Sequence, residues 1–339
     1  MSGKPPAVKL GLLINSIDAF NQQAKDKTET AARLLFDKLL ESGAIDHRSL
    51  LVGRIQGPHE ALRAADDLAA ACVDLVVIVN VAFPNGQVFL TLATHPRLAR
   101  IPIAVVADPE PKSGEWVTNA WCGVIMNNFV AKRIGRPIAA IPGPIGGEEF
   151  QKELDRLLRV AGAIRDLRRD FLGRFGDAPG GFHSATGDQV AFAATFGTRV
   201  DTVDLTAVTE AFRSGRASGY LGQFGFGDAE VRSTLEEISR GREVQVDKAM
   251  LEKGARLYHA FRTIIRANGY TSIAVRCWPE FNEPYIGIST CMATGLLLGK
   301  GEVTAAGCEG DWPTAVAQTI GTILSGQSAA CLDWINDVG

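Results

Sequence analysis

The sequence predicts an α/β protein with two tandem Rossmann-like, doubly wound domains. Short apolar runs such as residues 74–80 (DLVVIVN) alternate along the chain with segments of helical period such as residues 28–40. Strands and helices that alternate in this way form parallel sheets with helices on both faces. The alternation begins again after a long charged helix predicted at 148–169, and 339 residues are enough for two domains of ordinary size.

The first domain is predicted to comprise residues 1–168. Its strands are predicted from apolar runs at 8–14, 49–55, 74–80, 101–107 and 137–141. Its helices are predicted at 28–40, 58–72, 87–95, 115–134 and 148–169. Each predicted strand is followed by a helix, which is the order that a parallel sheet requires.

The second domain is predicted to comprise residues 169–339. Its strands are predicted at 171–175, 199–205, 272–278, 301–308 and 328–332. Its helices are predicted at 188–196, between 206 and 267, at 288–298 and directly after Asp311. Asp311 is a suitable N-cap for that last helix, and Pro313 falls in its first turn, where no amide donor is needed. The glycine-rich segment 222–227 (GQFGFG) has no clear strand before it and is predicted to be a loop.

The composition is that of a soluble globular protein, with 46% hydrophobic residues, 22% charged residues and a net charge of −3. No basic excess points to a nucleic-acid partner, and the apolar runs are too short to span a membrane. The six cysteines contain no CxxC or zinc-type pair, so buried, reduced thiols and a cytoplasmic location are predicted. The cysteines stand at positions 72, 122, 277, 291, 308 and 331.

Two acidic residues stand where predicted strands of the second domain end. Glu309 follows the strand at 301–308, and Asp333 follows the strand at 328–332. Parallel strands joined by one right-handed crossover are often neighbours, so both carboxylates are expected in one crevice. Open α/β sheets bind their ligands at this carboxyl edge. The sequence therefore predicts the functional site there.

The segment from Ala305 to Gly326, AAGCEGDWPTAVAQTIGTILSG, resembles the metal-binding stretch of L-fucose and L-arabinose isomerases. The arabinose enzymes have a very similar Gly-Glu-Gly-Asp-Trp run that opens a helix. The 24 residues from Glu309 to Asp333 match the separation of the two metal-binding carboxylates in the fucose enzymes. Residues 94–107 and 187–205 also resemble segments of the fucose enzymes, so the resemblance extends over nearly the whole chain.

The resemblance implies an aldose–ketose isomerase that depends on Mn²⁺, or on another divalent cation such as Mg²⁺, and acts on a monosaccharide through an enediol. Glu309 and Asp333 would bind the metal and transfer protons. The family forms hexamers, so a homo-oligomer is expected. Its members carry a third, β-rich domain that supplies a histidine ligand. This sequence stops at Gly339 and has no histidine after the motif, so that domain is expected to be absent from this chain.

An oxygen-rich site suits this chemistry, because carboxylates bind Mn²⁺ or Mg²⁺ and two carboxylates can act as general acid and base. Cys308 is then interpreted as packing rather than as a ligand. The alternative interpretation of Glu309 is an acidic residue that is stabilised by a helix N-terminus. The alternative interpretation of Asp333 is an ordinary residue at the end of a strand. Asp311 is interpreted as an N-cap rather than as a ligand.

Three further residues are predicted to bind substrate: Glu280, Trp312 and Asn119. Glu280 follows the strand at 272–278. The alternative interpretation is that Glu280 is a residue of a surface turn. The ring face of Trp312 suits contact with sugar C–H groups. The alternative interpretation is that Trp312 packs in the core or at its rim. Asn119 lies in a segment that resembles the family, whose first domain helps to cover a neighbouring subunit's active site. Its alternative is a helix cap.

The leading functional prediction is a metal-dependent sugar isomerase. The alternative is a non-catalytic sugar-binding or regulatory protein with the architecture of periplasmic binding proteins, which would not need converging carboxylates. An oxidoreductase is disfavoured, because no G-x-G-x-x-G fingerprint occurs.

Overall fold

The computed structural model describes residues 7–111, 115–241, 243–281 and 286–331. The chain divides into two compact units, here called the N-terminal unit (Pro5–Gly162) and the C-terminal unit (Ala163–Gly339). Each unit has a parallel sheet with helices, which confirms the predicted α/β class. The domain bounds 1–168 and 169–339 and the absence of a third domain stay predictions.

Over its described residues, the N-terminal unit has one parallel sheet of five strands. The strands are β1 (Leu10–Asn15), β2 (Leu50–Ile55), β3 (Leu75–Asn80), β4 (Ile103–Ala107) and β5 (Ala139–Pro142). The helices are α1 (Gln22–Glu41), α2 (Pro58–Ala70), α3 (Gly86–Thr94), α4 (Ala120–Arg133) and α5 (Glu148–Leu167), of which α5 extends beyond Gly162. The strand order is β2-β1-β3-β4-β5.

Alternate residues of the central strands enter two separate cores. Leu12 and Ile14 of β1 pack with α1 and α5, whereas Leu13 packs in the cluster formed with α2, α3 and α4. Every residue of β1, β3 and β4 is buried. Helices therefore cover both faces, which is why these strands appear in the sequence as continuous apolar runs.

The C-terminal unit has, among its described residues, a four-stranded parallel sheet and a two-stranded hairpin. The strands are β6 (Phe171–Phe175), β7 (Arg199–Val203), β8 (Arg216–Gly219), β9 (Gly222–Gly225), β10 (Ser272–Val275) and β11 (Ala306–Gly307). The helices are α6 (Gln189–Thr195), α7 (Leu205–Ser214), α8 (Asp228–Ser239), α9 (Lys248–Asn268), α10 (Cys291–Gly299) and α11 (Trp312–Ser325). The sheet order is β11-β10-β6-β7, and β8 pairs with β9 antiparallel.

Two predictions for this unit are corrected. The segment 222–227 was predicted to be a loop, but its first four residues form β9, because the facing strand β8 supplies the backbone partners. The strand predicted at 328–332 is not formed at 328–331, where the chain has no regular secondary structure. Leu332 lies outside the described residues.

The two parallel sheets share one strand order. Counted along the chain within its own parallel sheet, each shows the sequence 2-1-3-4, and the N-terminal sheet adds a fifth strand. The order reverses between β1 and β3 in the first sheet and between β6 and β10 in the second. Such a switch point, at the carboxyl ends of the strands, is where open α/β sheets bind ligands.

No helix within the described ranges is long and apolar enough to cross a membrane. All six cysteines are free, as predicted, but the predicted burial is wrong. Cys72, Cys122 and Cys291 are exposed and the other three are partly exposed.

Candidate active site

A tight turn carries Glu309 directly beyond the end of β11. The Asp311 amide donates a hydrogen bond to the Cys308 carbonyl at 2.9 Å, and the two central residues, Glu309 and Gly310, have φ of +55° and +69°. Positive φ at both central positions is the pattern of a type I′ turn. The Gly310 amide donates to the Val275 carbonyl at the end of β10, at 2.9 Å. Glu309 thus lies at the carboxyl edge of the sheet, where the sequence places it.

The backbone of this turn is strained at one residue and closely packed at the next. A residue other than glycine at left-handed φ costs roughly 1–2 kcal/mol, and Glu309 adopts that conformation. A Cβ on Gly310 would lie 3.1 Å from the Asp177 carbonyl oxygen, so glycine is required there. Strain of this kind is concentrated at functional sites in proteins.

A buried arginine of β6 stabilises the turn through a hydrogen bond to its backbone. The Arg174 guanidinium donates from Nε to the Gly310 carbonyl at 3.2 Å and forms an ion pair with Asp177 at 2.5 Å. Its side chain is 7% exposed, so these partners compensate for the buried charge. Sequence reasoning missed Arg174, although a charged residue inside the apolar strand FLGRF is a signal for a buried partner.

Two thiols lie beside Glu309. Cys277 follows β10, Cys308 follows β11, and their Sγ atoms are 3.3 Å apart. The hydrogen bond between them lowers the pKa of Cys277 to about 6 and raises the pKa of Cys308. The nearby backbone of Glu309 also lowers the pKa of Cys277. Cys308 was interpreted from the sequence as packing, and its pairing with Cys277 was not predicted.

Glu280 is held by a neighbouring arginine. Arg276 donates from Nε to Glu280 Oε2 at 2.9 Å and makes a second contact through its other guanidinium nitrogen. Both side chains are partly buried. The Glu280 carboxylate is therefore neutralised by Arg276, and its role in substrate binding stays a prediction.

Trp312 is fully buried at the start of α11. Its ring packs edge-on against Phe192 with 4.7 Å between ring centroids. Complete burial favours the core-packing alternative over a sugar contact, because a side chain without exposed surface cannot touch a ligand in this conformation.

Asn119 occupies the N-cap position of α4 in the N-terminal unit, with φ of +53° and no capping hydrogen bond from its side chain. The helix start is held by Glu110 instead, which accepts hydrogen bonds from the backbone amides of Val117 at 2.9 Å and of Thr118 and Asn119. Burial opposes the effect, but these bonds lower the pKa of Glu110. The structure therefore leaves the Asn119 side chain without the capping role, and its contact with substrate stays a prediction.

Asp311 caps α11 as predicted. Its carboxylate accepts hydrogen bonds from the Thr314 amide at 2.9 Å and from the Thr314 hydroxyl at 2.7 Å. Both carboxylate oxygens are used in this cap, which agrees with its interpretation as a cap rather than as a metal ligand.

The described residues include the type of ligand that a hard divalent cation prefers, but they supply too few ligands. Glu309 supplies a carboxylate at the strand ends, whereas Asp333 lies outside the described residues. Within the described ranges, no group of three or more His, Cys, Asp or Glu side chains could hold a metal ion. A complete site would need further ligands from beyond these ranges.

A cavity of about 580 Å³ lies elsewhere in the C-terminal unit, along β7, α7 and the β8–β9 hairpin. Its wall has both polar and apolar side chains, and the Tyr270 hydroxyl donates to Asp201 at 2.5 Å within it. Burial and this hydrogen bond raise the pKa of Tyr270. None of the predicted site residues lines this cavity, which was not predicted from the sequence.

The structure thus defines a parallel α/β chain with an acidic turn at a sheet's carboxyl edge, and comparison with known proteins shows which proteins it is similar to. Residues 11–168 match the family model for the fucose/sulfoquinovose isomerase N-terminal domain. A sulfoquinovose isomerase from Alkalicoccus urumqiensis is 27% identical over 288 residues, which cover 81% of this chain and 60% of that protein. Together with the relatives described next, these matches confirm the predicted resemblance to the fucose and arabinose isomerases.

Two further relatives support this placement. A sulfoquinovose isomerase from Clostridium sp. (strain MSTE9) is 23% identical over 75% of this chain and 54% of its own length. An L-arabinose isomerase from Actinobacillus succinogenes is 24% identical over 55% of this chain and 36% of its own length. The chain spans little more than half the length of the sulfoquinovose isomerases it matches.

Solved structures give only a distant likeness. An ABC transporter solute binding protein from Burkholderia multivorans aligns over 96% of this chain and 95% of its own, with a TM-score of 0.25 and 12% identity. A periplasmic solute binding protein from Actinobacillus succinogenes with bound D-allose aligns over 97% and 96%, with a TM-score of 0.23 and 11% identity. At these TM-scores the likeness carries no argument about function.

Proposed function

We propose that this chain carries the catalytic carboxylates of a divalent-metal aldose–ketose isomerase. The substrate is a monosaccharide, and the reaction passes through an enediol. The observation that carries the proposal is the turn that fixes Glu309 at the carboxyl ends of β10 and β11, in a chain whose named relatives are sugar isomerases.

The reaction requires a proton to move between C2 and C1 of the open-chain sugar while two adjacent oxygens are held in place. Glu309 and Asp333 are the proposed proton-transfer groups, one removing the C2 proton and the other returning a proton at C1. Mn²⁺ or Mg²⁺, bound by the same two carboxylates, would polarise the two oxygens and stabilise the enediolate.

Local rigidity supports the assignment of Glu309. Its turn is closed by the Asp311–Cys308 hydrogen bond, tied to β10 through Gly310 and supported from β6 by Arg174. A proton-transfer group held on the ends of strands loses little further freedom when substrate binds, which favours the transition state.

The substrate class follows from the relatives. Their names specify sulfoquinovose and L-arabinose, and the matching family model specifies fucose and sulfoquinovose. We therefore propose sulfoquinovose, L-fucose and L-arabinose as the sugars to test first. A non-catalytic sugar-binding protein remains the second candidate, because the described residues supply too few ligands for a complete metal site.

The test is a thermal-shift titration with Mn²⁺ on the wild type, Glu309→Gln and the control Glu236→Gln, which removes an exposed carboxylate on α8. A ligand that binds only the folded state stabilises it by about 2.7 kcal/mol at one hundred times its Kd. The wild type and the control should show the same rise in Tm, and Glu309→Gln should show none. A wild type that does not respond, or a Glu309→Gln variant that responds equally, would contradict the proposal.

A further inference from the structure

We propose that Cys277 and Cys308 are a redox modification site, which closes to a reversible disulfide and thereby displaces Glu309. The disulfide itself is independent of the proposed function, whereas its effect on metal binding rests on that function. The two thiols come from neighbouring parallel strands, since Ala274 of β10 pairs with Gly307 of β11.

The geometry places the sulfurs close to bonding distance. They are 3.3 Å apart, and a disulfide bond is about 2.05 Å long, so the sulfur atoms need to approach by only about 1.3 Å. Both residues lie beyond the last residues of their strands, Val275 of β10 and Gly307 of β11. Both are also partly exposed, so a small oxidant can reach them.

The chemistry is balanced with a peroxide as the oxidant. One thiol reacts with hydrogen peroxide to give a sulfenic acid and one water. The second thiol attacks the sulfenyl sulfur, the sulfur–oxygen bond breaks, and a second water leaves as the disulfide forms. Two thiols lose two electrons, which reduce one peroxide to two waters, and a dithiol reductant reverses the bond by exchange.

The bond would act on Glu309 through the backbone. Glu309 is the next residue after Cys308. The residue on its other side, Gly310, is fixed by Val275 and Arg174. A movement of Cys308 toward Cys277 therefore changes the backbone conformation of Glu309, which already has a strained φ of +55°.

The first measurement is peptide mapping of a Cys291→Ser/Cys331→Ser variant before and after treatment with hydrogen peroxide. Trypsin cleaves after Arg276 and Lys300, so Cys277 and Cys308 then lie in separate peptides with one cysteine each. We expect a linked pair of these peptides that disappears after dithiothreitol. Adding Cys277→Ala or Cys308→Ala should abolish the link, and adding Cys72→Ser should preserve it. Sulfinic acids at both positions without a link would overturn the proposal.

The second measurement is the Mn²⁺ thermal shift of the reduced and the oxidised protein. Oxidation should weaken Mn²⁺ binding at least tenfold in the wild type and leave the Cys277→Ala variant unchanged. A disulfide that leaves the Mn²⁺ response unchanged would overturn the displacement of Glu309. If the reduced wild type does not respond to Mn²⁺, the proposed function fails, and peptide mapping still decides whether the disulfide forms.

Discussion

At the scale of single residues, the turn at Cys308–Asp311 combines strain with close packing. Glu309 adopts a backbone conformation that disfavours its side chain, while Gly310 supplies the conformation and the space that the turn requires. Arg174 compensates by holding the Gly310 carbonyl from within the core. A carboxylate is thus placed at the sheet edge at the expense of local stability, as is common at functional sites.

The strain at Glu309 predicts an unusual order of stability. Glu309→Gly should be more stable than Glu309→Ala by about 1 kcal/mol, because only glycine adopts left-handed φ without a steric penalty. Both variants lack the carboxylate, so the difference between their free energies of unfolding measures the contribution of the backbone conformation. Urea denaturation of the two variants measures it.

The matched pair for this comparison is Glu236→Gly and Glu236→Ala in α8. There the order should be reversed, with alanine more stable by roughly 0.5–1 kcal/mol, because glycine is unfavourable within a helix. Equal stabilities of the two Glu309 variants would show that the turn stores no strain.

At the scale of elements, α9 is the central helix of the C-terminal unit. Asp247 caps its N-terminus by accepting from the Ala249 amide at 2.7 Å, and Gly269 ends it with φ of +75°. His259 is buried within it, with Nε2 2.9 Å from the Thr234 hydroxyl of α8. Burial, together with the positive charge of Arg262, lowers the pKa of His259 from 6.5.

This lowered pKa predicts a loss of stability in mild acid. Below pH 6.5 the unfolded chain takes up a proton at His259 that the folded chain does not, so the free energy of unfolding falls as the pH decreases from 6.5 toward the folded-state pKa. His259→Gln cannot take up this proton. Its stability should therefore change less than that of the wild type between pH 7.5 and 5.5.

Thermal melts at the two pH values test this, with the exposed His59→Gln as the control that should behave like the wild type. An equal loss of stability in the wild type and His259→Gln would show that His259 does not couple folding to pH.

At the scale of the whole molecule, the expected homo-oligomer needs an interaction surface. Helix α4 exposes two large apolar side chains four residues apart, Ile125 at 68% and Phe129 at 62%. Residues at this spacing share one helix face, and contiguous exposed apolar surface commonly marks an interaction site. The homo-oligomer stays a prediction, and this face is our proposal for the contact with a second copy.

Phe129→Glu should shift the molecular mass toward that of the monomer, because a buried carboxylate in the contact lacks a partner. Size-exclusion chromatography with light scattering measures the mass. Leu34→Glu, an apolar-to-acidic change at a 54% exposed site on α1, should leave it unchanged. A wild type that is already monomeric would refute the contact.

Much of the fold could be predicted because local patterns are strong where burial is complete. The strands β1, β3 and β4 are buried on both faces, so each appears as an uninterrupted apolar run. The hairpin of β8 and β9 was missed, because its exposed residues show no apolar alternation. The helix predicted at 115–134 was too long at its start, since Glu110 holds residues 117–119 outside α4.

The sequence by itself determined the α/β class, the resemblance to the fucose and arabinose isomerases and the place of Glu309 at the end of a strand, because these depend on residue types and short spacings. Only the tertiary structure decided which residues surround Glu309 and support its turn. The support from Arg174 to Gly310 spans 136 residues, and the thiol pair of Cys277 and Cys308 spans 31. Contacts between distant residues depend on which strands become neighbours, and strand order is set by the packing of the whole sheet rather than by any local pattern.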